Sequence, residues 1–258
     1  MRVVAVTASY SGLQSLMPVV ELQAIVSRSV SHWNSELNHC CAVRFEVKPP
    51  VSDWLAVEDR TNLIVFRQQH WCHNERCGSK STFPLGTLAI TSNYPESASG
   101  KALREGDIEV DARQLHAVTN ISDATGPING LLRTSSGYWV LARQGDQTAI
   151  PLEVVLTHEL GHVLGLKDAC VGGYRVGGYP TLGHCSDEQR TSVMYADARQ
   201  LKPTKADLAE VADLYPLTFG AASRVFVRDH FGFHVLLVLG LLLLFGLLSW
   251  PLIRERKR

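Results

Sequence analysis

Two histidines, His158 and His162, stand four residues apart in the run VVLTHELGHVLGLKD, and Glu159 directly follows the first. Positions i and i+4 share one face of an α-helix, so both imidazoles can reach a single zinc ion at about 2.0–2.1 Å. Glu159 lies beside them, where it can take a proton from a water activated by that ion. The spacing alone also suits two solvated histidines on an ordinary helix. Its context adds to it: Gly165 comes three residues after His162 and Asp168 three after that. A glycine there lets the chain leave the helix by a left-handed turn, which can swing Asp168 back toward the metal as a third ligand. A carboxylate near a helix C-terminus otherwise costs about 0.3–1 kcal/mol, and a bound cation offsets that cost better than the neighbouring Lys167 does. His184, in the loop that follows, is a rival third ligand.

The elements His158, Glu159, His162, Gly165 and Asp168 resemble the H-E-x-x-H-x-x-G-x-x-(H/D) zinc site of the metzincin metalloproteases. Ser192-Val193-Met194-Tyr195 is similar to the methionine turn of the matrixin branch, and the segment ending Asp213-Leu214-Tyr215 resembles the last helix of a matrixin catalytic domain. The likeness covers roughly residues 20–216, with the zinc and methionine-turn motifs as its specific parts. It implies a zincin fold of α+β class: a twisted mixed sheet, an active-site helix, a methionine turn and a C-terminal helix. It also implies one catalytic zinc on His158, His162 and Asp168, with Glu159 as general base. Gly165 and Met194 would support the site without ligating, and Tyr195 would line the substrate pocket. Matrixins carry a third histidine where this chain has Asp168; an aspartate there occurs in some bacterial members of the clan. Neither the calcium loops of animal matrixins nor a cysteine-switch propeptide is recognisable, which leaves structural Ca2+ open. Glu188 as a downstream ligand would make the site a gluzincin, and Gly165 and the Met194 turn argue against that.

The elements that must hold these residues read as follows. Val20 to Trp33 has apolar residues at helical spacing. Ala42–Val47, Asn62–Arg67, Thr87–Tyr94 and Asp107–Ala112 alternate as strands. Residues 113–150 read as irregular, with a short strand at Tyr138–Ala142. Leu152–Leu164 is the site helix, with Pro151 in its first turn. Residues 170–192 read as a long loop, and a last helix runs from Thr204, its N-cap, to about Tyr215, ended by Pro216.

The chain has 258 residues with 25 Lys+Arg and 25 Asp+Glu, a balance that argues against a nucleic-acid partner. The charge is unevenly placed: residues 254–258 carry net +3 and leave −3 on residues 1–253. Phe231 to Ile253 holds no Asp, Glu, Lys or Arg and as a helix would span about 35 Å, against about 30 Å for a hydrocarbon core. This predicts a catalytic domain over 1–216, a linker over 217–230, a transmembrane helix over 231–253 and a basic tail over 254–258. The positive-inside rule then places the C-terminus in the cytoplasm and the catalytic domain in the periplasm or outside the cell, as a single-pass membrane protein. The apolar run at Met1–Val6 is too short for a signal peptide, which leaves an upstream start or a tail anchor as alternatives.

Six cysteines allow 15 pairings. Cys72/Cys77 and Cys170/Cys185 are the local pairs, and closing the second loop is worth about 3 kcal/mol. Buried free thiols are the alternative, and a second zinc on His70, Cys72, His73 and Cys77 fits no standard finger spacing. The resulting expectation is a membrane-anchored zinc endopeptidase, by default monomeric, acting on protein or peptide substrates. The competing expectation is a catalytically inactive, zinc-stabilised binding module.

Overall fold

The computed structural model describes residues 1–217 apart from positions 12, 54, 79–81, 85, 96–102, 122–130, 143–148, 171–174, 177–178, 181–184 and 198–199. The chain divides into two units, Met1–Pro216 and Leu217–Arg258. The first is built on a five-stranded sheet of β1 (Arg2–Ala8), β2 (Val43–Val47), β3 (Asn62–Arg67), β4 (Ala89–Pro95) and β5 (Leu103–Asp111), in the spatial order β2-β1-β3-β5-β4. All neighbours are parallel except β4, which pairs antiparallel with β5 and ends the sheet. Helix α1 (Val19–Cys40) joins the parallel pair β1 and β2. Parallel strands require such a crossover, so the domain is mixed α/β; the α+β expectation is corrected on this point.

Strand β1 explains the apolar run at the N-terminus. Val4, Val6 and Ala8 point into the core, and Val6 is fully buried. The run is therefore a central strand of the sheet, paired on both sides. Alternate residues of the other strands join the same core: Val43 and Phe45, Ile64 and Phe66, Ile108 and Val110. Against them pack α1, through Leu22, Ile25, Val26, Val30, Trp33 and Leu37, and α2 (Leu152–Val163). The opposite alternation of β5 is acidic: Glu105, Asp107, Glu109 and Asp111 are all buried. Glu105 accepts backbone N–H groups of Asp59 and Arg60, Asp107 accepts that of Leu63, and Glu109 pairs with Arg67 and His73. Burial pushes the Asp107 carboxyl up to about 8, against the Leu63 N–H and with the nearby Glu105, Asp59 and Glu109 charges.

Three further strands, β6 (Leu115–Val118), β7 (Tyr138–Ala142) and β8 (Ala149–Pro151), form an antiparallel sheet in a region whose glycines read as irregular. It meets α1 at Glu21, a buried carboxylate that accepts from the hydroxyls of Thr134, Ser135 and Ser136 and from the Trp139 indole. Burial would raise its pKa, but these donors hold it at about 2. Two helices close the unit. Helix α3 (Asp187–Thr191) carries a capping box on Ser186 and Gln189, inside what reads as loop. Helix α4 (Lys205–Leu214) carries one on Thr204 and Asp207.

All six cysteines are paired, as Cys72–Cys77, Cys170–Cys185 and the adjacent Cys40–Cys41. The Cys72 and Cys77 sulfurs are consumed in a disulfide and are not thiolate ligands for a second zinc.

The expected membrane-spanning helix, and with it the single-pass membrane localisation, is corrected: no helix among the described residues is long and apolar enough to cross a membrane. The physical reasons differ from helix to helix. At 22 residues α1 is long enough, but Glu21, Arg28 and Glu36 lie along it. The most apolar helix, α2, has 12 residues and would reach only about 18 Å. The segment 231–253, most of the 217–230 linker and the 254–258 tail lie outside the described residues.

Candidate metal centre

Helix α2 is buried almost all round: every residue from Leu152 to Gly161 is buried, the polar Glu153, Thr157, His158 and Glu159 included. It starts at Leu152 as the sequence suggests, with Pro151 as its N-cap rather than in its first turn. Trp33 of α1 donates its indole N–H to the Thr157 carbonyl at 2.7 Å, which fixes α2 against α1 one residue before His158. The helix stops at Gly165, whose φ of +98° is a left-handed conformation that L side chains rarely adopt. Gly165 N–H bonds to the His162 carbonyl and Leu166 N–H to the Gly161 carbonyl, the two bonds of a Schellman turn. The chain thereby reverses and brings Asp168 back over the helix.

Asp168 Oδ1 lies 3.2 Å from His158 Nε2 and 3.4 Å from His162 Nε2. A tetrahedral ion with bonds of about 2.0–2.1 Å has ligand–ligand edges of about 3.4 Å, so these separations fit one ion shared by three donors. The other ring nitrogens are occupied: His158 Nδ1 is 2.9 Å from the Val193 carbonyl and His162 Nδ1 is 2.9 Å from the Leu166 carbonyl. A carbonyl only accepts, so each Nδ1 carries a proton, which leaves Nε2 as the atom each ring can offer to a metal. His158, His162 and Asp168 are the one cluster of metal-ligating type found among the described residues. Glu188 is exposed on α3 and outside the cluster, and His184 lies outside the described residues.

Without an ion the cluster holds a proton instead. Burial alone would lower the His162 pKa, but the Asp168 hydrogen bond, the Glu159 charge and the Leu166 carbonyl push it up to about 9. Asp168 is held well below the usual carboxylate range: burial opposes this, and the two histidines override it. In the metal-free protein the raised His162 pKa contributes stability that is complete below about 6.5 and lost as pH rises through about 9. A metal must displace that proton. Zinc binding to metal-free protein at pH 7 is therefore expected to release about one proton, and its affinity to rise with pH up to about 9. Calorimetry in buffers of different ionisation enthalpy measures the release directly.

The turn at Ser192–Tyr195 supports the cluster. The Val193 carbonyl that orients His158 precedes Met194, which is 2% exposed. The Met194 carbonyl accepts Ala169 N–H at 2.7 Å, and Gln189 of α3 donates to the Ala169 carbonyl at 2.8 Å, so the residue after Asp168 is held on both sides. The turn is tied to α4: the Ser192 hydroxyl and Val193 N–H both donate to Asp207. Tyr195, the expected pocket residue, is buried. Gly161 is needed for close approach here, because a Cβ on it would meet Met194 Sδ at 2.1 Å and Trp33 Cζ2 at 2.9 Å. Gly161→Ala is expected to destabilise the protein by about 2 kcal/mol despite the better helix propensity of alanine. A thermal melt checks this, and an unchanged or raised Tm would contradict the packing described.

Glu159 faces the edge strand. Its Oε2 accepts from the Thr91 hydroxyl of β4 at 2.6 Å, and its Oε1 has no hydrogen-bond partner among the described residues. The Thr91, Val193, Leu166, Asp207 and Gln189 contacts have no counterpart in the sequence reading. Four of them run through backbone carbonyls or strand-to-helix packing, which leave no local pattern. Ser186 and Thr204 as N-caps were the readable signals for α3 and α4.

In comparisons with known proteins, no family model matches the chain and no curated protein is significantly similar to it.

Proposed function

We propose that the chain is a zinc-dependent endopeptidase of metzincin type, in which a water held at the His158–His162–Asp168 cluster attacks a peptide carbonyl. The observation that carries the reading is the convergence of those three ligand atoms beside a glutamate with one open carboxylate oxygen. Two imidazoles and one carboxylate suit zinc, and they also suit iron(II). The adjacent Glu159 favours hydrolysis, because a proton acceptor one residue from a ligand is what water activation needs.

Zinc, when bound, supplies a Lewis acid that acidifies water and polarises a carbonyl. The chain supplies the rest. His158 and His162 offer neutral Nε2 lone pairs because Val193 and Leu166 hold their Nδ1 protons. Asp168 adds a negative charge, which weakens the Lewis acid relative to a third histidine. Glu159 Oε1 takes one proton from the attacking water as the oxygen bonds to the carbonyl carbon. It then gives that proton to the amide nitrogen as the C–N bond breaks, leaving a carboxylic acid and an amine, between which the acid proton then passes to give carboxylate and ammonium. Strand β4 ends the sheet beside Glu159, and an extended peptide can add to such an edge.

The test is digestion of casein and a peptide library by the full chain with and without a chelator. Cleavage that stops with chelator and returns with zinc supports the reading. Zinc binding without cleavage would favour a metal-stabilised binding module.

A further inference from the structure

We propose that Thr91 is a positioning residue for Glu159, holding one carboxylate oxygen so that the other stays free to move the proton. The proposal rests on the peptidase reading and adds to it a residue that neither the metal cluster nor the methionine turn contains.

Thr91 lies on β4, paired with Ile108 of β5, and its Oγ1 is 2.6 Å from Glu159 Oε2 and 3.3 Å from the Glu159 carbonyl oxygen. A hydroxyl has one proton, and the shorter contact takes it. Glu159 is 5% exposed, and this is its side chain's one hydrogen bond among the described residues. A glutamate has three rotatable side-chain bonds, and a buried carboxylate with one open oxygen would otherwise turn toward the two imidazoles beside it. Threonine is suited to prevent this. Its branched Cβ restricts χ1, and β4 is clamped along its length by β5, so the hydroxyl sits at a fixed point. A donor on a rigid strand and an acceptor on a rigid helix fix the orientation of the base before substrate arrives. Thr91 acts through Glu159 and touches none of the three ligand residues in the contacts above.

The experiment has two arms. In the first, zinc-loaded full-length wild type, Thr91→Val and Thr91→Ser are compared for kcat, KM and zinc content. Thr91→Val is expected to lose about 10- to 100-fold in kcat with KM and zinc content unchanged, and Thr91→Ser to recover most of the loss. In the second arm, metal-free wild type, Thr91→Val, Glu159→Ala and the double variant are melted. Thr91→Val is expected to lower Tm by about 4 °C in the wild-type background and by under about 1 °C when Glu159 is already removed. Wild-type kcat in Thr91→Val, equal losses in the serine and valine variants, or additive Tm shifts would each overturn the proposal. If wild type binds zinc but cleaves nothing, the peptidase reading fails, and the catalytic role of Thr91 with it. The melting arm still reports separately whether the hydroxyl holds the carboxylate.

Discussion

Replacing Glu159 with glutamine is expected to lower kcat/KM for peptide cleavage by at least about 1000-fold while the protein keeps one zinc ion. The size follows from what the side chain does. Glutamine preserves the volume of a buried position and can still meet the Thr91 hydroxyl, but it cannot accept a proton at the open oxygen. The metal should remain because its three donors are His158, His162 and Asp168, each placed by contacts that do not involve Glu159. Zinc content by elemental analysis beside steady-state rates checks both halves. Retained activity would remove Glu159 from the mechanism. Lost zinc would make it a ligand.

Asp168→Ala is expected to weaken zinc binding by about 100-fold or more, and activity should fall in step unless zinc is supplied in excess. Asp168 Oδ1 is the atom that both imidazole Nε2 atoms face, at 3.2 and 3.4 Å. Removing it leaves two neutral ligands on one helix face. The same substitution should also reduce the upward shift of His162 in the metal-free protein, since the Asp168 hydrogen bond is its main raising cause. That protein should therefore bind its remaining proton less tightly, and its stability should depend less on pH between about 6.5 and 9. Competition with a chromophoric chelator measures the affinity. Unchanged affinity would give the third position to another group, with His184 first to test.

The parts of the site legible in the sequence are the local ones. His158, Glu159 and His162 are related by one helical turn, and Gly165 marks where that helix must reverse, so their grouping follows from backbone geometry. Asp168 follows from the reversal. Met194 was legible only through the likeness of Ser192–Tyr195 to a known turn. What the pattern could not carry is tertiary. The carbonyls of Val193 and Leu166 fix both tautomers, yet every residue has a carbonyl. Thr91 reads as one more polar residue on an alternating strand until β4 is set against α2.

The fold divides the same way. The strand cores at Asn62–Arg67 and Tyr138–Ala142 keep the bounds that alternation suggests. Strand β1 was hidden because an N-terminal Val-Val-Ala-Val run reads equally as a stunted leader. Strand β5 is only half legible. Its alternation is plain, but Glu105, Asp107 and Glu109 suggest a solvated face, whereas the 55–75 segment covers it and supplies backbone N–H groups, Arg67 and His73 as partners. Cys40–Cys41 has no spacing to recognise.

The most direct test is a titration of metal-free full-length protein with zinc, with peptide turnover read at each point. The account requires turnover to rise in proportion to bound zinc and to level off at one ion per chain, with Glu159→Gln binding the same ion and remaining silent. Turnover independent of zinc, turnover that levels off at another stoichiometry, or one bound zinc with no turnover at all would contradict it.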